Sequence, residues 1–305
     1  MRTRGQIGRL ATHFSSRAQA WSPDPEVHMF TEDVCLGLMP VGGRTSKKEF
    51  AVQLDGAKSH CEAAAAILEQ LSEEHSGRLP EIVSSAIEVI SRDLAHSGFC
   101  YYEIVHTKES IPSLISISPE GLWKIGGYYV QHVPIDDRHE WRRRFSWADA
   151  SAVWRIRIPA SLGGPRVHRQ TIHALREVDR LGPGFFQRDL QQGKQDPNFS
   201  FGDYVRHSEN RIRRLTRRWG WNSRDWGLDR QTEFYAFDRM MQFKWAQAVL
   251  REQITADINS LFSRLSWDSN LVITGLPSPA EIWDTHTAMT TGVLSMAKAS
   301  DAITF

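Results

Sequence analysis

From Thr232 to Leu265 the chain runs without a Pro or Gly, and Met241, Trp245, Val249, Ile254, Ile258, Leu261, Phe262 and Leu265 recur at helical spacing. Nothing in this stretch interrupts an i to i−4 hydrogen-bond ladder, so it predicts one long helix. After it come a short apolar run at Leu271–Thr274, a Gly275-Leu276-Pro277 break, and a last helix opened by Ser278. Pro279 in its first turn and Glu281 three residues after the cap give that helix a capping-box start.

Upstream, helical and extended patterns alternate. Segment 27–41 alternates loosely through Val27, Met29, Phe30, Val34, Leu36, Leu38 and Val41 before Gly42-Gly43, which predicts one or two short strands and a turn. The sequence becomes helical from Ala57, with Ala63–Leu71 the strongest run, and breaks over the polar stretch Glu73–Pro80. A second helix over about 81–96 sets Ile82, Ala86, Ile87, Val89, Ile90 and Leu94 on one broad face, and Ser97-Gly98 stops it. β-rich runs follow at Phe99–His106, Leu114–Ser118 and Tyr128–Val133, separated by Pro112, Pro119-Glu120-Gly121 and Gly126-Gly127, and predict an antiparallel meander. Ala152–Ile158 is a further strand ended by Pro159, and a helix over about 167–181 follows the turn Gly163-Gly164-Pro165. Beyond Gly184 the chain reads as mostly helical.

These elements predict an α+β fold: an antiparallel β meander with flanking helices and a long helix in the C-terminal half. The polar stretch Gln191–Asn198 is the candidate boundary. The expected organisation is a mobile N-terminal arm over 1–20, an α+β domain over 21–190 and a mainly helical region over 191–305. With 305 residues, 41% hydrophobic and 24% charged, the chain has an ordinary globular composition. No run approaches the length of a membrane span, so a soluble protein is expected. A net charge of +1 argues against a protein that coats nucleic acid over its whole surface, and leaves room for a local basic stripe. Cys35, Cys61 and Cys100 are odd in number and never form a CxxC pair, which predicts neither a disulfide framework nor a zinc site.

Catalytic signatures are missing. The densest polar cluster, Asp136-Asp137-Arg138-His139-Glu140, consists of adjacent residues whose side chains diverge, and reads as a solvated loop. His168 and His173 lie near no carboxylate at ligand spacing and are expected at the surface or half-buried. No GxSxG, GxxxxGK[ST] or GxGxxG occurs, so a non-enzyme without cofactor or metal is expected. The informative cluster is basic. Arg206, Arg211, Arg213, Arg214, Arg217, Arg218, Arg224 and Arg230 are interleaved with Tyr204, Trp219, Trp221 and Trp226. Guanidinium forks pair with phosphates and aromatic faces stack on bases, so Arg206, Arg211, Arg213, Arg214, Arg217, Arg218, Trp219, Trp221 and Arg224 are candidate contacts to nucleic acid or a neighbouring subunit. The competing reading is a basic helix face paired with Glu209, Asp225, Asp229 or Glu233.

The order of segments adds a family resemblance. Ser91-Arg92-Asp93-Leu94-Ala95-His96-Ser97-Gly98 runs into Phe99-Cys100-Tyr101-Tyr102-Glu103-Ile104-Val105. Then come Ile111-Pro112-Ser113-Leu114-Ile115-Ser116-Ile117-Ser118-Pro119, Tyr128-Tyr129-Val130, and Val153-Trp154-Arg155-Ile156-Arg157-Ile158-Pro159 before Gly163-Gly164. Together with the long helix and Gly275-Leu276-Pro277-Ser278-Pro279-Ala280-Glu281-Ile282, this order resembles the portal proteins of tailed bacteriophages, over about two thirds of the chain. The chain is short for that family, and its stem, clip and crown segments are not assignable, so the resemblance is to a reduced portal. It implies a wing-like α+β domain and a homo-oligomeric ring, a dodecamer as in the family, at the capsid vertex of a virion assembled in the host cytoplasm. Double-stranded DNA would pass through the tunnel, a separate packaging ATPase would supply the energy, and capsid and tail-adaptor proteins would be partners. The alternative is a monomeric nucleic-acid-binding module that uses the Arg/Trp segment.

Overall fold

The computed structural model describes residues 9–10, 24–39, 50–74, 77–106, 111–138, 143–180, 201–223 and 232–303. The fold is α+β, as the pattern of elements requires, with helices and antiparallel sheets. The chain forms two units, each built from discontinuous stretches. The first comprises 1–22, 49–157 and 253–275, and the second 23–48, 158–252 and 276–305. The expected succession of arm, α+β domain and helical region divides the chain differently. The candidate boundary at 191–198 and most of the N-terminal arm lie outside the described residues.

The first unit holds all eight strands found among the described residues. β1 (Ala51–Gly56) pairs antiparallel with β8 (Ser269–Thr274), Ala51 opposite Thr274. Helices α2 (Lys58–Leu71) and α3 (Leu79–Ser97) follow β1. α3 buries Val83, Ala86, Ile87, Ile90 and Leu94 completely, about 1.5–3 kcal/mol for each large aliphatic side chain. It ends at Gly98, whose φ of 79° puts it in the left-handed region and whose N–H reaches Leu94 O at 2.8 Å. Asn259 fixes the closing strand with both halves of its amide. Its Nδ2 donates to Leu271 O at 3.0 Å, and its Oδ1 accepts from Leu271 N at 2.7 Å.

The meander expected after Gly98 is instead two separate sheets. β2 (Phe99–Val105) is central in one, between β3 (Ser113–Ser116) and β7 (Val153–Arg157). β5 (Tyr128–His132) is central in the other, between β4 (Leu122–Ile125) and β6 (Phe145–Asp149). β7 returns to β2 because Tyr102, Trp154 and Ile156 are needed in the same core, a long-range demand that no local pattern displays. Leu10, Ile117, Tyr129, Ala148 and Val153 form one apolar cluster. Leu10 is held there because the buried Glu103 carboxylate accepts the backbone N–H groups of Arg9 (2.7 Å) and Leu10 (3.0 Å). The expected mobile arm is therefore anchored at these two residues. Asp137, expected in a solvated loop, is buried.

The second unit is helical: α1 (Pro25–Leu36), α4 (Gly164–Arg180), α5 (Phe201–Leu215), residues 233–252 of α6 (Glu233–Arg264), α7 (Pro279–Thr290) and α8 (Met296–Ile303). α1 occupies the segment expected as strands. Its buried residues Val27, Phe30, Thr31, Val34 and Cys35 fall at intervals of three and four, and Pro25 opens it, so the helical period overrode the loose alternation. α6 matches the predicted helix closely, and its 32 residues span roughly 48 Å. The Ser278–Glu281 capping box is present: Ser278 N donates to Glu281 Oε2 (2.7 Å), and Glu281 N donates to Ser278 Oγ (3.2 Å). Among the described residues no helix is long and apolar enough to cross a membrane.

Gly56 sits at φ 139°, and a Cβ there would lie 2.1 Å from Asp268 O. Gly56→Ala is expected to lower unfolding free energy by about 1–3 kcal/mol, read as a lower denaturant midpoint.

Candidate nucleic-acid interface

The basic segment ends α5 and turns sharply onto α6. Thr216 is buried, with its hydroxyl 2.9 Å from Ile212 O and 2.7 Å from Trp221 O. Gly220 (φ 75°) lets the turn approach α6 so closely that a Cβ would meet Phe243 N at 2.5 Å. The turn is held by Arg239, a buried cation on α6. Its Nη2 donates to Trp221 O (2.6 Å), Thr216 Oγ1 (3.4 Å) and Arg213 O (3.4 Å), and its Nη1 to Arg217 O (3.4 Å). Burial lowers the Arg239 pKa from its ordinary value. The carbonyls at the end of α5 suit this charge, since they carry the negative end of the helix dipole.

This turn sorts the predicted contact residues. Trp219 and Trp221, proposed as stacking surfaces, are 1% and 3% exposed. They pack edge-on to Phe30 at 5.6 and 5.2 Å, and Trp221 Nε1 donates to Asp33 Oδ2 at 2.8 Å. Both are core residues, because an indole beside the apolar face of α1 gains more from burial than from solvent. His168, expected at or near the surface, is buried against Trp219 at 5.5 Å. Arg213 is half-buried and paired with Glu209 at 3.4 Å, as the competing reading expects, and Arg211 is half-buried. Arg214, Arg217 and Arg218 are exposed. The side chain of Arg206, and Arg224, Trp226 and Arg230 altogether, lie outside the described residues, as do His139 and Glu140.

Arg214, Arg217 and Arg218 border a cleft of about 840 Å³. α4 supplies Val167, Gln170, Thr171 and Ala174 to its lining, α6 supplies Gln242 and Trp245, and α7 supplies Trp283. The indoles of Trp245 and Trp283 lie 5.9 Å apart, tilted by 55°. Among the described residues no carboxylate, imidazole or thiol lines this cleft. A neighbouring groove of about 510 Å³ shares Arg214, Arg217 and Gln242 and adds Asn210, Arg213, Tyr235, Asp238 and Arg239. Its one carboxylate, Asp238, is engaged with His286 Nε2 at 2.7 Å.

Three guanidinium groups, unpaired among the described residues, beside two indoles suit an anion attached to a planar ring: forks for phosphate oxygens, faces for a base. None of the described residues in the cleft lining is placed to act as nucleophile or base. Thr171 Oγ1 lies within hydrogen-bond distance of Val167 O (3.2 Å) and Leu215 O (3.4 Å). Among the described residues no three His, Cys, Asp or Glu side chains converge to hold a metal ion. The basic half of this surface follows from arginine density in the sequence. Its aromatic half was missed: Trp245 was taken as an apolar helix position and Trp283 was not singled out. The available signal was that Trp283 falls off the α7 stripe carrying the buried Ile282 and Met289.

Trp219→Ala is expected to destabilise the protein by about 3–5 kcal/mol in chemical denaturation. Trp283→Ala, at an exposed site, should change stability by less than about 0.5 kcal/mol while weakening any base-stacking ligand. No family model matches the chain, and no curated protein or solved structure matches it.

Proposed function

We propose that the chain is a portal-like structural subunit, assembling as a ring around DNA in a phage or phage-like particle and touching the DNA backbone through Arg214, Arg217 and Arg218. The observation that carries this reading is the group of three exposed arginines that, among the described residues, have no ion-pair partner and border a cleft with no carboxylate in its lining. Surface arginines in a protein of near-zero net charge are ordinarily interspersed with acids. A carboxylate-free cluster favours an external anion. The cleft lining also fits a passive component, since it offers phosphate contacts without reacting groups. A few scattered contacts suit DNA that must slide, because each neutralised phosphate adds salt-sensitive but sequence-independent affinity. The segment order of the portal family supports the ring.

A second reading is favoured by Trp245 and Trp283. In a duplex the base faces are hidden, so indoles beside arginines suit a single strand held by a monomeric module.

Negative-stain imaging and mass measurement over rising protein concentration test the first reading. Closed rings are expected, with weak DNA binding by the monomer. A chain that stays monomeric and binds short single strands tightly would overturn it in favour of the second. In either case Arg214→Gln, Arg217→Gln and Arg218→Gln combined should flatten the log–log salt dependence of binding by about two to three, with the denaturation midpoint unchanged.

A further inference from the structure

An antiparallel sheet with one buried face ordinarily turns polar residues to solvent. The β4-β5-β6 sheet does not. Trp123 stands opposite Val130 and Val130 opposite Trp147, while Ile125 faces Tyr128 and His132 faces Phe145. The intervening Tyr129, Gln131, Ser146 and Ala148 are buried. Trp123, Ile125, Tyr128, Phe145 and Trp147 therefore share the outward face, where they are 44–61% exposed. A large aromatic side chain carries roughly 150–250 Å², so the exposed parts sum to roughly 500 Å². That lies at the upper end for the largest apolar patch of a monomer, and is more than half of the roughly 800 Å² that each partner gives to a stable interface.

We propose that this face is covered by a second copy of the chain. The rings stand edge-to-face, Tyr128 to Trp147 at 5.5 Å and 83°, His132 to Phe145 at 5.4 Å and 63°. Such a surface has ridges and clefts that interdigitate with protein side chains, whereas a sugar ring or base needs a flat platform. Its rim carries charges of both signs: β6 is preceded by the exposed Arg143 and Arg144 and ends at Asp149, which is half-exposed and 3.9 Å from Arg9. The aromatic centre with a charged rim is the composition of a subunit contact.

The proposal rests on the self-assembly in the reading above, and concerns a surface separate from the arginine cleft. Sedimentation of the full chain over a concentration series tests it, with far-UV circular dichroism as the check on folding. The wild type should associate, and both W123S/W147S and I125K should need at least about tenfold higher concentration to do so. R214Q/R217Q/R218Q should associate as the wild type does. Association of both sheet variants at the wild-type concentration would overturn this face while leaving the ring intact. A wild-type chain monomeric throughout would overturn both.

Discussion

A single buried cation organises the helical unit. Arg239 reaches four oxygens at and just beyond the end of α5, three of them main-chain carbonyls. An unsatisfied buried carbonyl costs about 1–3 kcal/mol, and an unpaired buried guanidinium costs more. Each therefore requires the other. Because the turn is fixed at that point, Trp219 and Trp221 are delivered to Phe30 and Asp33, and Arg217 and Arg218 are left pointing to solvent. Arg251 acts similarly further along α6, donating to Leu38 O at 3.2 Å and to Pro277 O, while Gln247 Nε2 takes Asp33 O at 2.9 Å at the end of α1. One face of α6 is thus a row of donors matched to loose chain ends.

That logic explains why α6 was legible as a helix but not as an organiser. Its apolar spacing and lack of Pro and Gly are local, and they fixed its length to within a residue at each end. Arg239, Gln247 and Arg251 look like ordinary surface residues in sequence, since only the folded chain reveals that carbonyls converge on them. The same difference governs the basic segment. Arginine density marks the region as basic, but the sequence does not distinguish arginines that face solvent from tryptophans that face inward. Trp219 and Trp221 lie within seven residues of Arg214, Arg217 and Arg218, and a tight turn separates their environments.

The strands show a parallel case. β2, β3, β5 and β7 were readable from β-branched and aromatic runs, and α3 from its stripe and Gly98. β4 and β6 were not: β4 is four residues long with Lys124 among them, and β6 alternates buried small residues with exposed large ones, Ser146 and Ala148 against Phe145 and Trp147. This inverts the usual pattern in which size marks the inside. The partition into two sheets rests on β7 pairing with β2 across some fifty residues, which no window of the chain contains.

The pairing of Ala51 with Thr274 also sets an order of events during synthesis. β1 leaves the ribosome more than two hundred residues before its partner β8 exists, and closing so long a loop is entropically slow. Residues 158–252 of the helical unit are translated within that interval. Until β8 is made, the nascent β-containing unit carries an unpaired strand, a surface that chaperones bind and that aggregation exploits.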